Sequence, residues 1–313
     1  MPLVFGSPQV SERRRFSPYA LLGRGFLKRG FVRYDLTMRH VLLLPLLFAA
    51  PAVAQERSDA GDGRNTGQRA EDGNTIFDPA PLTGTIGTGR PSFSTGTTSV
   101  PTGRLQIELG LTYTRDGDDD QITAPANLLR YGIHDHAELR LGGAAWVGGL
   151  NDDQLPEGQT DLRLGVKLEA FRPDEDDPRW FPKVAVQPSL KLPTGDLDPS
   201  DQIDPAVQVA ASWSLPGNGG LLLNVGLFTD SDGHDTATSL DYGLLHARTL
   251  SDDVSVFVEV FGSASDTFDD TLSADVGVLY LLDDNTQLDA FVGAGLNDAA
   301  GDLFAGAGIS FRL

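Results

Sequence analysis

From about residue 100 onward, apolar and polar residues alternate at every second position, in short segments separated by Asp, Gly, Pro and Asn. In residues 254–261, for example, four valines alternate with Ser255, Phe257, Glu259 and Phe261. Successive side chains of a β-strand point to opposite faces of the sheet, so a period of two predicts strands with one apolar and one polar face.

Twelve such segments are predicted, each close to the ~9–11 residues that a tilted membrane strand needs. They cover residues 104–114, 124–133, 136–146, 160–171, 181–192, 204–214, 220–229, 239–249, 253–264, 271–282, 286–296 and 302–313. Tight turns at 132–135, 216–219, 251–253 and 283–285 alternate with longer acidic connections at 115–122, 148–159, 195–202, 230–238 and 263–270, with one exception at 172–180. An even number of strands and this alternation predict an all-β fold, a transmembrane antiparallel up-and-down β-barrel over residues 100–313, with both termini on the periplasmic side.

A soluble antiparallel sandwich or a lipocalin-like barrel would show the same alternation. Three features favour the membrane barrel instead: no helix signals, no cysteine in a chain that is expected to be exported, and a last segment whose alternation runs to Leu313. An uncovered apolar edge strand promotes aggregation in a soluble protein, whereas closure of a barrel pairs it with the first strand. Beyond residue 54 no run of ~18 apolar residues could form a transmembrane helix.

The front of the chain predicts export. Residues 38–54 combine a short basic head, an apolar stretch and small residues at Ala52 and Ala54, which is the pattern of a signal peptide cleaved before Gln55. A buried core helix is the alternative interpretation of the apolar stretch. Residues 1–37 then stand in front of a complete signal, which indicates an upstream extension from a misassigned start. Residues 55–99, rich in Gly, Thr, Asp and Asn, are predicted to form a flexible periplasmic leader, because they cannot bury enough apolar surface to offset the cost of ordering.

Charge and composition exclude several classes of function. Residues 1–54 hold eight of the 24 basic and two of the 44 acidic residues, so the remainder has 16 basic and 42 acidic residues and a net charge of −26. A chain this acidic is not expected to bind nucleic acid through the phosphates. The chain has no cysteine, which excludes disulfide frameworks, thiol catalysis and thiolate metal sites. No cofactor is predicted.

Several stretches of the sequence together resemble one family. They are residues 89–93 (GRPSF), 99–108 (SVPTGRLQIE), 188–195 (PSLKLPTG), 293–298 (GAGLND) and the terminal GISFR strand. In this order they resemble the outer-membrane transporters of the "MetA-pathway of phenol degradation". The terminal residue departs from the aromatic residue with which such barrels usually end, although Phe311 keeps an aromatic on the same face. The resemblance implies an outer-membrane barrel, in some members linked to uptake of aromatic compounds, and it supplies no catalytic residues.

Catalysis is not expected. A Ser–His–acid arrangement would need histidine and serine on neighbouring strand ends near the outer rim. The four histidines beyond residue 54 do not fit this requirement: His134 and His136 flank a predicted periplasmic turn, His234 lies in a loop, and His246 has no serine beside it at a matching depth. The acidic loop at 116–120 lacks the spacing of a Ca²⁺-binding loop. It is interpreted as solvated, as contacting lipopolysaccharide through bridging cations, or as repelling anions from the mouth of the barrel.

The polar faces carry an uneven charge. Basic candidates for lining the lumen fall in the second to fifth strands: Arg130, Arg140, Arg163, Lys167, Lys183 and Lys191. Acidic candidates fall in the eighth to eleventh strands: Asp241, Glu259, Asp275 and Asp289. One wall would therefore be basic and the facing wall acidic, with Glu108, Glu138 and Glu169 available to pair with the basic wall.

Two interpretations of this lining remain open. The charges form a polar path for solutes, or they form salt bridges that fill a plugged lumen. The corresponding functions are a passive channel or transporter for small solutes, hydrophobic or aromatic ones included, and a structural or adhesive barrel with acidic loops. The expected partners are outer-membrane lipid and lipopolysaccharide, a small-molecule solute and the barrel-assembly machinery.

Overall fold

The fold is taken from a computed structural model, which describes residues 79–82, 84–151, 157–173, 181–197, 200–231 and 236–313. The predicted signal peptide at 38–54 with Ala52 and Ala54, the upstream extension at 1–37, and residues 55–78 of the leader lie outside the described residues. No helix in the described part of the chain is long and apolar enough to cross a membrane.

The described chain is built from β-strands. Their bounds are β1 Leu105–Asp116, β2 Asp119–His134, β3 Ala137–Gly143, β4 Trp146–Gly149, β5 Gly158–Gln159, β6 Leu162–Phe171, β7 Lys183–Leu192, β8 Asp204–Leu215, β9 Gly219–Ser231, β10 Thr236–Thr249, β11 Val254–Ser265, β12 Thr271–Asp283, β13 Thr286–Gly295 and β14 Leu303–Arg312. All twelve predicted strands are present; their bounds differ from the prediction by at most three residues, except that β2 begins five residues earlier.

Twelve of these strands form a closed antiparallel wall. Each long strand pairs with its neighbour in the chain, β3 pairs with β6, and β1 pairs with both β2 and β14. The closing pair β1–β14 runs without interruption from Gln106 opposite Arg312 to Arg115 opposite Leu303. The prediction of a twelve-strand up-and-down barrel is confirmed, and the short strands β4 and β5 extend the wall beyond it.

The two faces of the wall have opposite character. Val258 and Val260 are 46% and 42% exposed, whereas Glu259 between them is fully buried. The same alternation places leucines and valines outside on the other strands, including Leu223, Leu227, Leu244, Val276 and Val292. An apolar exterior with a polar interior is the inverse of a soluble barrel and is what contact with lipid requires.

Several connections differ from the prediction. The expected loop at 115–122 is a continuation of β1 and β2, which turn tightly through Gly117 (φ +61°) and Asp118. Part of the expected loop at 148–159 is strand too, because β4 pairs with β2 and β5 pairs with β4. The strand predicted at 136–146 is interrupted at Ala144, whose φ is +53°. Beyond the lipid a strand needs no apolar face, so polar sequence concealed these extensions.

The barrel has two distinct ends. At the end where β1 begins and β14 finishes, called the terminal end here, the turns after β2, β8, β10 and β12 are short. At the opposite end, called the loop end, the connections after β3, β7, β11 and β13 are longer.

Candidate functional site

A stretch of chain before β1 lies inside the barrel. Residues 84–102, called the inner segment here, include Ile86, Thr88, Ser94 and Thr102, each of which is fully or almost fully buried. The backbone N–H of Ala80 donates to the carbonyl of Thr102 over 2.9 Å, so the stretch enters and leaves at the terminal end. The sequence predicted a flexible leader for residues up to 99. The structure instead places residues 84–99 inside the barrel, enclosed by the wall.

Wall carboxylates hold the backbone of the inner segment. Glu259 accepts the N–H groups of Phe93 (2.7 Å) and Ser94 (2.9 Å). Glu138 accepts the N–H of Val100 at 2.7 Å, and Glu108 accepts that of Gly89. Buried backbone donors must find acceptors, and this segment forms no ladder of its own. A polar lumen satisfies it where an apolar core could not, which explains how so hydrophilic a sequence is enclosed.

Wall glycines give the inner segment room. A Cβ on Gly110 would lie 2.0 Å from the guanidinium carbon of Arg90, and one on Gly308 would lie 2.3 Å from its Nε. A Cβ on Gly132 would lie 2.0 Å from the carbonyl oxygen of Pro101. Arg90 thus lies flat against β1 and β14, where its Nη2 is 3.3 Å from Asp289.

The wall from β1 to β6 carries a buried ionic network. Arg130 bridges Glu108 at 3.1 Å and Glu138 at 2.9 Å. Arg140 reaches Glu138 at 2.7 Å, and Lys167 reaches it at 3.5 Å. All five side chains are buried. Removal of one partner from such a network would leave a buried charge without its counter-charge, which is strongly destabilising. The network therefore favours a single arrangement of these side chains.

A second ionic cluster lies nearer the loop end. The Nζ of Lys191 bridges Asp230 at short range, Asp204 at 2.9 Å and Asp161 at 4.0 Å. Asp161 also accepts the N–H groups of Thr194 (2.8 Å) and Gly195 (2.7 Å). Thr194 and Gly195 of the PTG turn and the preceding Lys191 thus converge on Asp161. Because Lys191 also contacts Asp204 and Asp230, the cluster ties β6, β7, β8 and β9 together.

The wall from β9 to β14 mixes carboxylates with aromatic rings. Glu259 and Asp275 oppose each other directly across β11 and β12. Phe93 of the inner segment stacks on Phe261, with ring centroids 4.4 Å apart. Phe304 lies edge-on to Phe261 at 5.9 Å. Further buried apolar side chains of this interior cluster are Leu222, Leu245, Phe257, Leu279 and Phe291. This wall therefore offers both negative charge and aromatic surface.

A family model described as "Putative MetA-pathway of phenol degradation" matches residues 88–313, which include most of the inner segment and the whole barrel. The chain belongs to this family. No curated protein matches it.

Solved structures of outer-membrane barrels are similar to this member of the phenol-degradation family. An outer membrane channel from Pseudomonas putida F1 is 15% identical, with a TM-score of 0.52 over 69% of this chain and 98% of that chain. The NanC porin is 10% identical, with a TM-score of 0.48 over 66% of this chain and 100% of that one. At 15% identity, the similarity to the Pseudomonas putida channel establishes the shared barrel fold.

In this family member, nine of the ten lining candidates are buried in the interior: Arg130, Arg140, Arg163, Lys167, Lys191, Asp241, Glu259, Asp275 and Asp289. The tenth, Lys183, is half-buried at the start of β7, near the terminal end. The alternation predicted the charged walls, but it did not predict the partners that come from outside the strands. Arg90, Phe93, Asp161 and the backbone donors of the inner segment carried no signal of burial, apart from the GRPSF stretch that contributes to the family resemblance.

The histidines of the described residues are remote from this interior. His134 and His136 are exposed at the turn between β2 and β3, and His246 points outward with its Nδ1 3.1 Å from the carbonyl of Gly220. His234 lies outside the described residues. Within those residues, no group of three or more His, Asp or Glu side chains is arranged to hold a metal ion.

Proposed function

We propose that the protein is a passive outer-membrane channel for small solutes, with hydrophobic or aromatic solutes included. The observation that carries the proposal is the lining of the loop-end half of the interior. Small hydroxyl side chains face inward there on neighbouring strands, namely Thr112, Thr114, Thr123, Ser239, Ser263, Thr271 and Ser273. Small polar side chains narrow the lumen less than large ones would and offer hydroxyl groups to a passing solute, which suits a path for solutes.

The aromatic wall supports the finer proposal about solute type. The rings of Phe93, Phe261 and Phe304 form a contiguous surface inside the barrel. The polar network of β1 to β6 lies on the opposite wall. Such a surface stabilises apolar and aromatic groups as they leave water. No energy-coupling element is implied, so movement would run down the concentration gradient.

Swelling of liposomes that contain the full-length protein tests the proposal. Serine and phenylalanine are suitable solutes, because neither crosses a bilayer readily and they differ mainly by a ring. Both should enter faster than into protein-free liposomes, and phenylalanine should enter faster than serine. This preference for phenylalanine should disappear in Phe261→Ala. Val260→Ala is the matched control, since Val260 points outward beside Phe261. Equal effects of both variants would contradict the aromatic preference.

The alternative function is a structural or adhesive barrel with a plugged lumen. It is favoured by the inner segment, which contacts Glu108 and Asp289 on one side and Glu138 and Asn224 on others. Planar-bilayer recordings separate the two functions. Conductance above leak supports the channel, and its absence at every voltage, together with no swelling, supports the plugged barrel.

Export and assembly complete the proposal. Cleavage of the signal peptide would make Gln55 the first residue of the mature chain, and sequencing of the N-terminus of outer-membrane material checks this. Insertion by the barrel-assembly machinery would follow, and the acidic loop end would meet lipopolysaccharide through bridging cations.

A further inference from the structure

Four polar side chains surround Gly165 on the inner face of the wall. Gly165 opposes Arg140 on β3 and Ser189 on β7. Arg163 and Lys167 are the inward-facing residues on either side of it on β6. All four side chains are buried. Because Gly165 has no side chain, no side chain of β6 stands between them at this point of the inner face.

Arg140 carries hydrogen-bond donors that have no acceptor. Its Nη1 donates to Glu138 at 2.7 Å. Its Nε and Nη2 are buried and have no hydrogen-bond partner among the described residues. A buried donor left unpaired costs about 1–3 kcal/mol, and more when it is charged. Nε and Nη2 form the edge of a guanidinium that binds a carboxylate through two parallel hydrogen bonds.

Among the five side chains of the network around Glu138, the positive charge exceeds the negative charge by one unit. Arg130, Arg140 and Lys167 share two carboxylates, Glu108 and Glu138. Glu138 already contacts all three cations and cannot neutralise them. Arg163, the next cation on β6, lies among Asp161, Asp204 and Asp241, the first two of which also contact Lys191, so Arg163 adds hydrogen-bond donors to the site but no excess charge. An excess of one positive charge in a poorly solvated wall favours an anion with a single negative charge.

Arg140 and Arg163 are diagonal neighbours across the β3–β6 pair, a relationship that separates residues by about 7–8 Å. The Nη1 of Arg163 is 3.4 Å from Ser189 Oγ, so a hydroxyl lies on the same side as the two guanidinium groups. The order of strands around the barrel puts β3 and β6 opposite β11 and β12. An anion held beside Gly165 therefore faces the wall that carries Phe261.

We propose that Arg140 and Arg163, on either side of Gly165, bind the carboxylate of a small organic monoanion inside the barrel. Its apolar part extends towards the aromatic wall. This inference rests on the proposed channel function and names a substrate class for it, a carboxylate with an apolar or aromatic body. Arg140 supplies two hydrogen bonds to the carboxylate, and Arg163, Lys167 and Ser189 supply further hydrogen-bond donors around it.

Isothermal titration calorimetry on the full-length protein in detergent micelles tests the site, with benzoate as the probe and benzamide as its uncharged counterpart. Benzoate should bind saturably and benzamide should not. Arg140→Gln should weaken benzoate binding about ten-fold or more, because hydrogen bonds to a charged group are lost. Arg115→Gln is the matched control: Arg115 is exposed at the loop end, where it pairs with Asp120 at 2.6 Å, and its loss should leave binding unchanged.

A second variant guards against misfolding of Arg140→Gln, which is checked by the mobility of unheated protein on a gel. Gly165→Ala retains every charge and puts a methyl group among these side chains, 3.1 Å from Ser189 Cβ. It should also weaken benzoate binding. The proposal is overturned if benzamide binds as well as benzoate, if both variants bind benzoate normally, or if inorganic phosphate binds and benzoate does not.

The swelling assay distinguishes this failure from failure of the channel function. Entry of serine and phenylalanine without benzoate binding leaves the channel and removes the carboxylate site. Benzoate binding without entry of any solute leaves the site and removes the channel.

Discussion

At the scale of single residues, the interior depends on carboxylates that accept more than one hydrogen bond. Glu259 illustrates this, since its two oxygens accept the N–H groups of Phe93 and Ser94 and thereby hold the middle of the inner segment against β11. A glutamine has the same shape but only one acceptor oxygen. The identity of the side chain, and not only its size, is therefore required at this position.

Glu259→Gln should destabilise the protein by about 1–3 kcal/mol, because one buried backbone N–H then faces an amide N–H instead of an acceptor. Urea titration of the folded barrel in micelles measures the change. Asp298→Asn, in the exposed connection between β13 and β14, removes a carboxylate without a buried partner and serves as control. Equal stabilities for the two variants would contradict the assigned role of Glu259.

The wall glycines differ in what an added methyl group would displace. At Gly132 the obstacle is the backbone of Pro101, whereas at Gly110 it is the flexible end of Arg90. Gly132→Ala should therefore destabilise more than Gly110→Ala, within the range of about 1–3 kcal/mol for overpacking. Both are measured in the same urea titration, and the reverse order would show that the inner segment is seated differently.

At the scale of elements, the wall could be predicted from the sequence because membrane strands must alternate. The pattern at Val254 to Phe261 gave both the strand and its inner face, and Glu259 is indeed buried between exposed valines. The hairpin tip at Asp116 to Asp119 and the pair β4–β5 extend beyond the lipid, where no alternation is imposed, and were predicted as loops.

The inner segment lay beyond sequence reasoning for a different physical reason. Its residues, such as Thr88, Ser94 and Thr97, are small and polar, which is the composition of a chain that does not fold alone. They are enclosed because Glu108, Glu138 and Glu259 supply acceptors from three different strands, β1, β3 and β11, and such partners are far apart in sequence. The charged walls were predictable from strand register, whereas their partners in the segment were not.

Cross-linking tests the position of the inner segment directly, since the chain has no cysteine of its own. The hydroxyls of Thr97 and Ser212 are 2.8 Å apart. In the double variant Thr97→Cys with Ser212→Cys, mild oxidation should form a disulfide, detected by a shift in gel mobility that reductant reverses. Pairing Thr97→Cys with Ser310→Cys, on the opposite wall, should give none. Cross-linking in the second pair alone would refute the described path.

At the scale of the whole molecule, the protein is held in the membrane by its outer face. Val276 is 51% exposed in the middle of β12, and Leu282 is 54% exposed near its terminal end. A lysine costs about 2–4 kcal/mol at the bilayer midplane and about 0–1 near the interface. Depth, and not exposure, should therefore decide the effect of a charge on this strand.

Val276→Lys should lower the free energy of unfolding in lipid vesicles by about 2–4 kcal/mol, and Leu282→Lys by less than about 1 kcal/mol. Unfolding by urea, followed by tryptophan fluorescence, provides the comparison. Similar losses at both positions would mean that β12 does not cross the bilayer at the depth inferred from its register.

The hydrogen bond from Ala80 to Thr102 holds the chain just before the inner segment beside the last residue of that segment, at a single mouth of the barrel. The segment consequently enters and leaves the barrel through the same end and does not pass through the lumen from one end to the other. It can enter after β1 and β14 have closed, and it can be withdrawn without opening the seam. Barrel assembly and occupation of the lumen are therefore topologically independent events, and a folded wall with an emptied interior is a reachable state of this chain.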